Sequence, residues 1–198
     1  DELLLSQWAL KLDRKELAEK YGENAAKRKE KIVLFMKRDE LYYDYDFENE
    51  TLSSVVSCAS LFPYYVGIDS SAKGVQETLR RLEAERGVVA CDYDKGRYQW
   101  SKPNSWAPLN YIAVAAARNV GLEKEAGRLS DKYLGAIDSI FEKTGNLWEK
   151  YDANTGLLDM ESEYGTPAML GWTAGVYLAL YENRKGRAWR KELCTENS

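Results

Sequence analysis

Three carboxylates stand together in Asp159-Met160-Glu161-Ser162-Glu163-Tyr164-Gly165, just ahead of an apolar run from Gly171 to Tyr181. Carboxylates so placed have two uses. They are solvated loop charges that favour a helix N-terminus through its dipole, or one of them is a general base tuned by neighbouring aromatics. A second stretch, Tyr98-Gln99-Trp100-Ser101-Lys102-Pro103-Asn104-Ser105-Trp106-Ala107-Pro108, sets two Trp around polar residues and stiffens the backbone with two Pro. One reading is a loop anchored by buried indoles. The other is a carbohydrate subsite, with an indole face under a sugar ring and Gln99, Lys102 and Asn104 reaching its hydroxyls.

What is missing narrows the chemistry. The chain has 0 His. A Ser-His-Asp triad, a Cys-His dyad and any His-ligated zinc or haem are therefore excluded within it. Cys58, Cys91 and Cys194 are widely spaced and form no C-x-x-C pair, so they read as incidental thiols. Acid–base work falls to carboxylates, Lys or Tyr. No acidic cluster has EF-hand spacing. Lys plus Arg is 28 against 32 Asp plus Glu, a net charge of −4 that argues against nucleic acid as a partner. The longest apolar stretches, such as Ile32 to Met36 and Tyr111 to Ala117, fall far short of the roughly 20 residues that span a bilayer. Asp1 and Glu2 do not open a secretory leader. The compartment stays open, with cytoplasm the first expectation and the natural N-terminus expected upstream.

The elements that must position these residues read as helices. Leu4, Leu5, Trp8 and Leu12 begin a first one that runs to Tyr21-Gly22, and residues 24–38 form a second, basic one. After the tyrosine-rich loop 41–47, Leu52, Val55, Val56 and Ala59 predict a third, stopping near Pro63. A fourth runs from Ser71 to Arg86 on Val75, Leu79 and Leu82, and a strand pair is allowed within 88–100. Leu109, Ile112, Ala113 and Ala116 mark a fifth, residues 123–143 a sixth, and 171–181 a seventh. More apolar and more charged helices alternate, with long aromatic loops before the apolar ones. That is the pattern of a two-layer helical toroid or solenoid, with a site on the loop rim. Residues 1–183 are expected to form this unit and 184–198 a charged tail.

The motifs resemble those of trehalases, glycoside hydrolase family 37. Gln99-Trp100, Pro103-Asn104 and Trp106-Ala107-Pro108-Leu109 look like the family's second signature. Glu149-Lys150-Tyr151-Asp152, Glu163-Tyr164, Gly171-Trp172-Thr173 and Gly175-Val176 resemble its closing motif. Tyr43-Asp44-Tyr45-Asp46 and Leu61-Phe62-Pro63 also follow in family order.

The resemblance implies an all-α segment of an (α/α)6 toroid, about seven helices in inner and outer layers. It implies an inverting hydrolase of α,α-trehalose or a related α-glucoside, with Glu163 as general base and no metal or organic cofactor, since glycoside hydrolysis needs two carboxyls and water. Gln99, Trp100, Lys102, Asn104, Trp106, Tyr164 and Trp172 would meet the disaccharide. The family's general acid, an Asp, lies upstream of the matching region, so the other half of the barrel or a second chain is the expected partner. The family writes Asp where Ser101 stands, Gly where Ser105 stands, and glycines where Asp159 to Ser162 stand. Two rivals remain at this point: a non-catalytic helical scaffold binding glycan or protein, and an (α/α)6 α-glucosidase of a neighbouring family.

Overall fold

The computed structural model describes residues 1–94, 98–159, 163–168 and 171–184. The expected 184–198 tail lies outside them except for Arg184, as do Met160 to Ser162.

Helices α1 (Glu2–Lys11) and α2 (Lys15–Met36) form an antiparallel pair. The break falls at Asp13, in the left-handed conformation at φ 53°, and not at Gly22 as the sequence suggested. Gly22 stays helical because its Lys- and Glu-rich neighbours are good helix formers. A Cβ there would lie 3.5 Å from Ser6 Oγ, and Ser6 donates to the Ala18 carbonyl at 2.7 Å, so α1 crosses close to this point.

The third predicted helix is not there. Residues 37–52 form two hairpins, β1 (Lys37–Arg38) with β2 (Leu41–Tyr42) and β3 (Tyr45–Asp46) with β4 (Thr51–Leu52). The β-branched Thr51, Val55 and Val56 suit extended backbone. A 3-10 turn at Cys58–Leu61, capped by the Ser57 hydroxyl, then leads into the short α3 (Phe62–Tyr65). Pro63 occupies the first turn of α3, where its missing N–H costs nothing, so it starts a helix and does not stop one.

Helix α4 (Ala72–Leu82) begins at Ser71, whose hydroxyl accepts from the Gly74 N–H. It ends before Arg86 because the chain turns into the hairpin β5 (Glu83–Ala84) and β6 (Gly87–Val88). Gly87 leaves room for Asn110 Oδ1, which accepts from the Val88 N–H at 3.0 Å. Helices α5 (Ala107–Asn119) and α6 (Glu123–Thr144) follow their predicted spans, with Gly145 closing α6 at φ 67°. Helix α7 (Gly171–Arg184) is last. Strand β7 (Asn104–Trp106) pairs with β8 (Lys150–Asp152), placing Trp106 opposite Lys150, Ser105 opposite Tyr151 and Asn104 opposite Asp152.

Helix α5 is the spine. It packs against α3, α4, α6 and α7, and α6 also packs on α7. Thus α3, α5 and α7 share one layer, with α4 and α6 behind it. The core runs through Leu61, Val75, Leu79, Val114, Leu134, Ile137 and Leu180. The outlying pair α1–α2 leaves Leu12 73% and Leu34 69% exposed. Among the described residues no helix is long and apolar enough to cross a membrane.

Candidate active site

The β7–β8 ladder joins the two loops that the sequence singled out. Trp106, at the end of β7, is 2% exposed, and its indole Nε1 donates to the Gln99 carbonyl at 2.9 Å. Trp100 stacks on it at 4.6 Å between centroids and 13° between planes, and is 51% exposed. Trp172, in the first turn of α7, meets Trp106 edge-on at 5.5 Å and 84°. Its Nε1 donates to the Glu149 carbonyl at 3.2 Å. Three indoles therefore make one wall, with Trp106 behind and Trp100 facing solvent.

Two carboxylates border that wall. The Gln99 backbone N–H donates to Glu163 Oε2 at 3.1 Å. The Tyr164 hydroxyl donates to Glu149 Oε2 at 2.7 Å, and burial with this hydrogen bond pushes the phenol up to about 12. Between them lies Lys150, fully buried, with Nζ 4.1 Å from the Tyr164 ring centroid and 5.2 Å from that of Trp106. Burial pulls its pKa below the usual lysine value, against the opposing pull of Glu149 and Glu163.

The remaining predicted residues are placed differently. Asn104 is 1% exposed and spends its amide N–H groups on the Tyr98 and Ser101 carbonyls, bracing the loop from within. Lys102 is half-buried, and its backbone N–H donates to the Tyr93 carbonyl. Ser101 and Ser105 are also interior: the first donates to the Tyr98 carbonyl and the second accepts from Asn110. Sequence reasoning gave no role to Glu149 or Lys150. The signal they carried was the match of Glu149-Lys150-Tyr151-Asp152 to the family's closing motif, which marked the stretch without giving either residue a role.

An open apolar groove of about 380 Å³ adjoins Trp172, lined by Tyr65, Tyr111, Ile112, Val176 and Ala179 of α3, α5 and α7. Among the described residues no group of three His, Cys, Asp or Glu is placed to hold a metal ion.

The family model described as Trehalase matches residues 1–184. The chain belongs to the trehalase family. It is 33% identical over 171 residues to the periplasmic trehalase of Xanthomonas oryzae pv. oryzae, covering 84% of this chain and 30% of that protein. It is 30% identical over 163 residues to the periplasmic trehalase of Salmonella choleraesuis, covering 80% of this chain and 28% of that protein. This trehalase-family chain thus spans about 30% of the length of the curated relatives it matches. The neutral trehalase of Saccharomyces cerevisiae superposes with a TM-score of 0.69 at 25% identity, over 83% of this chain and 30% of that one. A GH63 mannosylglycerate hydrolase from Thermus thermophilus shares the fold, with a TM-score of 0.65 at 18% identity over 90% of this chain and 44% of that one. The layers of α3, α5 and α7 over α4 and α6 are accordingly part of an (α/α)6 toroid.

Proposed function

We propose that this trehalase-family chain supplies the base side of an inverting glycosidase site, acting on α,α-trehalose or a related α-glucoside. The observation that carries this is the Glu163 carboxylate, fixed by the Gln99 N–H at the edge of the stacked indole wall. An exposed indole face takes a sugar ring, and a carboxylate beside it takes a proton from the attacking water. Trp100, Gln99, Lys102, Tyr164 and Trp172 would line the sugar, while Asn104 and Trp106 would hold the wall from behind. No metal is needed: two carboxyls and water perform the reaction, about 6.5–9.5 Å apart in an inverting pair.

The acid would come from outside this chain. The open groove on α3, α5 and α7 and the exposed apolar residues of α1 and α2 support completion by further helices, from the same polypeptide or from a second one.

A second assignment of the base is favoured by one observation. Glu149 leads directly into β8 and is held by Tyr164, whereas Glu163 is exposed in a loop. Glucose release from trehalose separates the two. Loss of the base costs on the order of 10²–10⁴ in rate. Such a loss in Glu163→Gln alone, with sugar binding kept, supports the first assignment, and in Glu149→Gln alone the second. Wild-type protein that binds trehalose but never releases glucose, even with the barrel completed, supports the non-catalytic scaffold. Turnover of another α-glucoside and not of trehalose supports the neighbouring-family reading.

A further inference from the structure

A buried lysine lies between the two carboxylates of the candidate site. Lys150 stands opposite Trp106 across the β7–β8 ladder. Its Nζ reaches two rings, those of Trp106 and Tyr164, both within the about 6 Å over which an aromatic face attracts a cation. Each ring leads to a different half of the site. Trp106 carries Trp100 and Trp172, and Tyr164 holds the Glu149 carboxylate. A fully buried charge is costly to keep, and an apolar side chain of similar length would fill the space without that cost. Packing alone therefore does not account for a lysine here. Tyr164, in contrast, is 39% exposed, and the described residues around it, 163–168, form no helix or strand. Its hydroxyl is held by Glu149, and its ring face lies 4.1 Å from the Lys150 Nζ.

Resting on the glycosidase reading, we propose that Lys150 is a positioning residue. It pins the Tyr164 ring to the Trp106 wall, so that the Tyr164 hydroxyl keeps the Glu149 carboxylate in a fixed place beside the sugar.

The test compares Lys150→Met, which keeps the length and loses the charge, with Lys150→Arg, which keeps the charge. The first readout is the fluorine NMR line of Tyr164 in protein labelled with 3-fluorotyrosine, assigned by its absence in Tyr164→Phe. Lys150→Met should move this line towards the shift of a free tyrosine, and Lys150→Arg should leave it near the wild-type position. A line unmoved in Lys150→Met overturns the proposal. The second readout is trehalose turnover by the assembled enzyme. A misplacement of about 1 Å costs about 100-fold, so Lys150→Met should lower kcat by that order with KM within about threefold, and Lys150→Arg should recover most of it. Wild-type kcat in Lys150→Met overturns the proposal and leaves the glycosidase reading standing. A moved fluorine line in protein whose wild type never releases glucose keeps the anchoring role and sinks the glycosidase reading. If Lys150→Met does not fold, Tyr164→Phe decides, at a half-exposed position. It keeps the ring over Lys150 and loses the hydroxyl, so its kcat should fall by a similar factor, and an unchanged kcat overturns the proposal.

Discussion

Gly74 should resist a substitution that helices ordinarily welcome. Alanine in a helix is better than glycine by about 0.8–1.0 kcal/mol. At this position a Cβ would fall 2.7 Å from Tyr64 Cζ and 2.8 Å from the Glu40 carbonyl oxygen. Neither can yield cheaply. Tyr64 is fully buried, its hydroxyl donates to that same Glu40 carbonyl at 3.0 Å, and its ring meets Tyr42 edge-on at 5.6 Å. Moving Tyr64 aside loses a hydrogen bond of about 1 kcal/mol and adds overpacking of about 1–3 kcal/mol. After the helical gain, Gly74→Ala should destabilise the chain by about 1–3 kcal/mol. Equilibrium urea unfolding followed by tryptophan fluorescence reads this directly. With a slope of about 2 kcal/mol per molar, the midpoint should fall by about 0.5–1.5 M. A midpoint that stays or rises refutes the reasoning. The cause has its own check: in a Tyr64→Phe background, which lacks the hydroxyl, Gly74→Ala should cost about 1 kcal/mol less. An equal cost in both backgrounds removes Tyr64 from the explanation.

Three further outcomes are expected. Burial raises the Glu83 carboxyl, but hydrogen bonds and charge from Arg128 and Lys132, each 2.8 Å away, outweigh it and hold the group below its ordinary value of 4.5. A depressed folded pKa contributes stability above the unfolded value that is lost as pH falls through the folded one. Urea midpoints should therefore drop below about pH 4.5, and Glu83→Gln should flatten that fall, with an identical slope counting against the argument. Trp106→Ala, at a buried site, should cost about 3–5 kcal/mol in urea unfolding. Trp100→Ala, half exposed, should cost less than about 1 kcal/mol yet weaken trehalose binding about tenfold in a calorimetric titration; equal stability losses would mean the wall has no front and back. Burial pushes both the Cys58 and Cys91 thiols up, so in a Cys194→Ser background a thiol reagent should label the chain only after denaturant is added. Rapid labelling of the native chain would contradict their burial.

The parts of the fold legible in the sequence were those with local causes. Helices α5 and α6 announce themselves through apolar spacing, Pro108 at an opening and Gly145 at a close. The segment 52–62 misleads because Leu52, Val55, Val56 and Ala59 fit a helical stripe by spacing, while β-branching and two hairpins decide otherwise. The site divides the same way. Gln99, Trp100, Trp106, Glu163 and Trp172 stand in recognisable motifs, and the structure brings them together. Asn104 looks like a sugar ligand by type, but its neighbours' carbonyls claim its amide. Glu149 and Lys150 were marked by a motif but given no role, because their meaning depends on a strand pairing with residues far away in the chain. No local pattern encodes that register.

The alanines of α5 carry a consequence for how such a chain diversifies. Ala107, Ala113, Ala116 and Ala117 are all fully buried on the spine of the layer. Their smallness lets neighbouring helices approach, and each added methylene there forces packed backbones apart. Under mutational drift this wall is closed to enlargement. Change must be accommodated on the rim instead, at exposed positions such as Tyr98 and Glu163, where side chains can vary without the spine registering it. The fold thus separates the residues free to explore from those that must stand still.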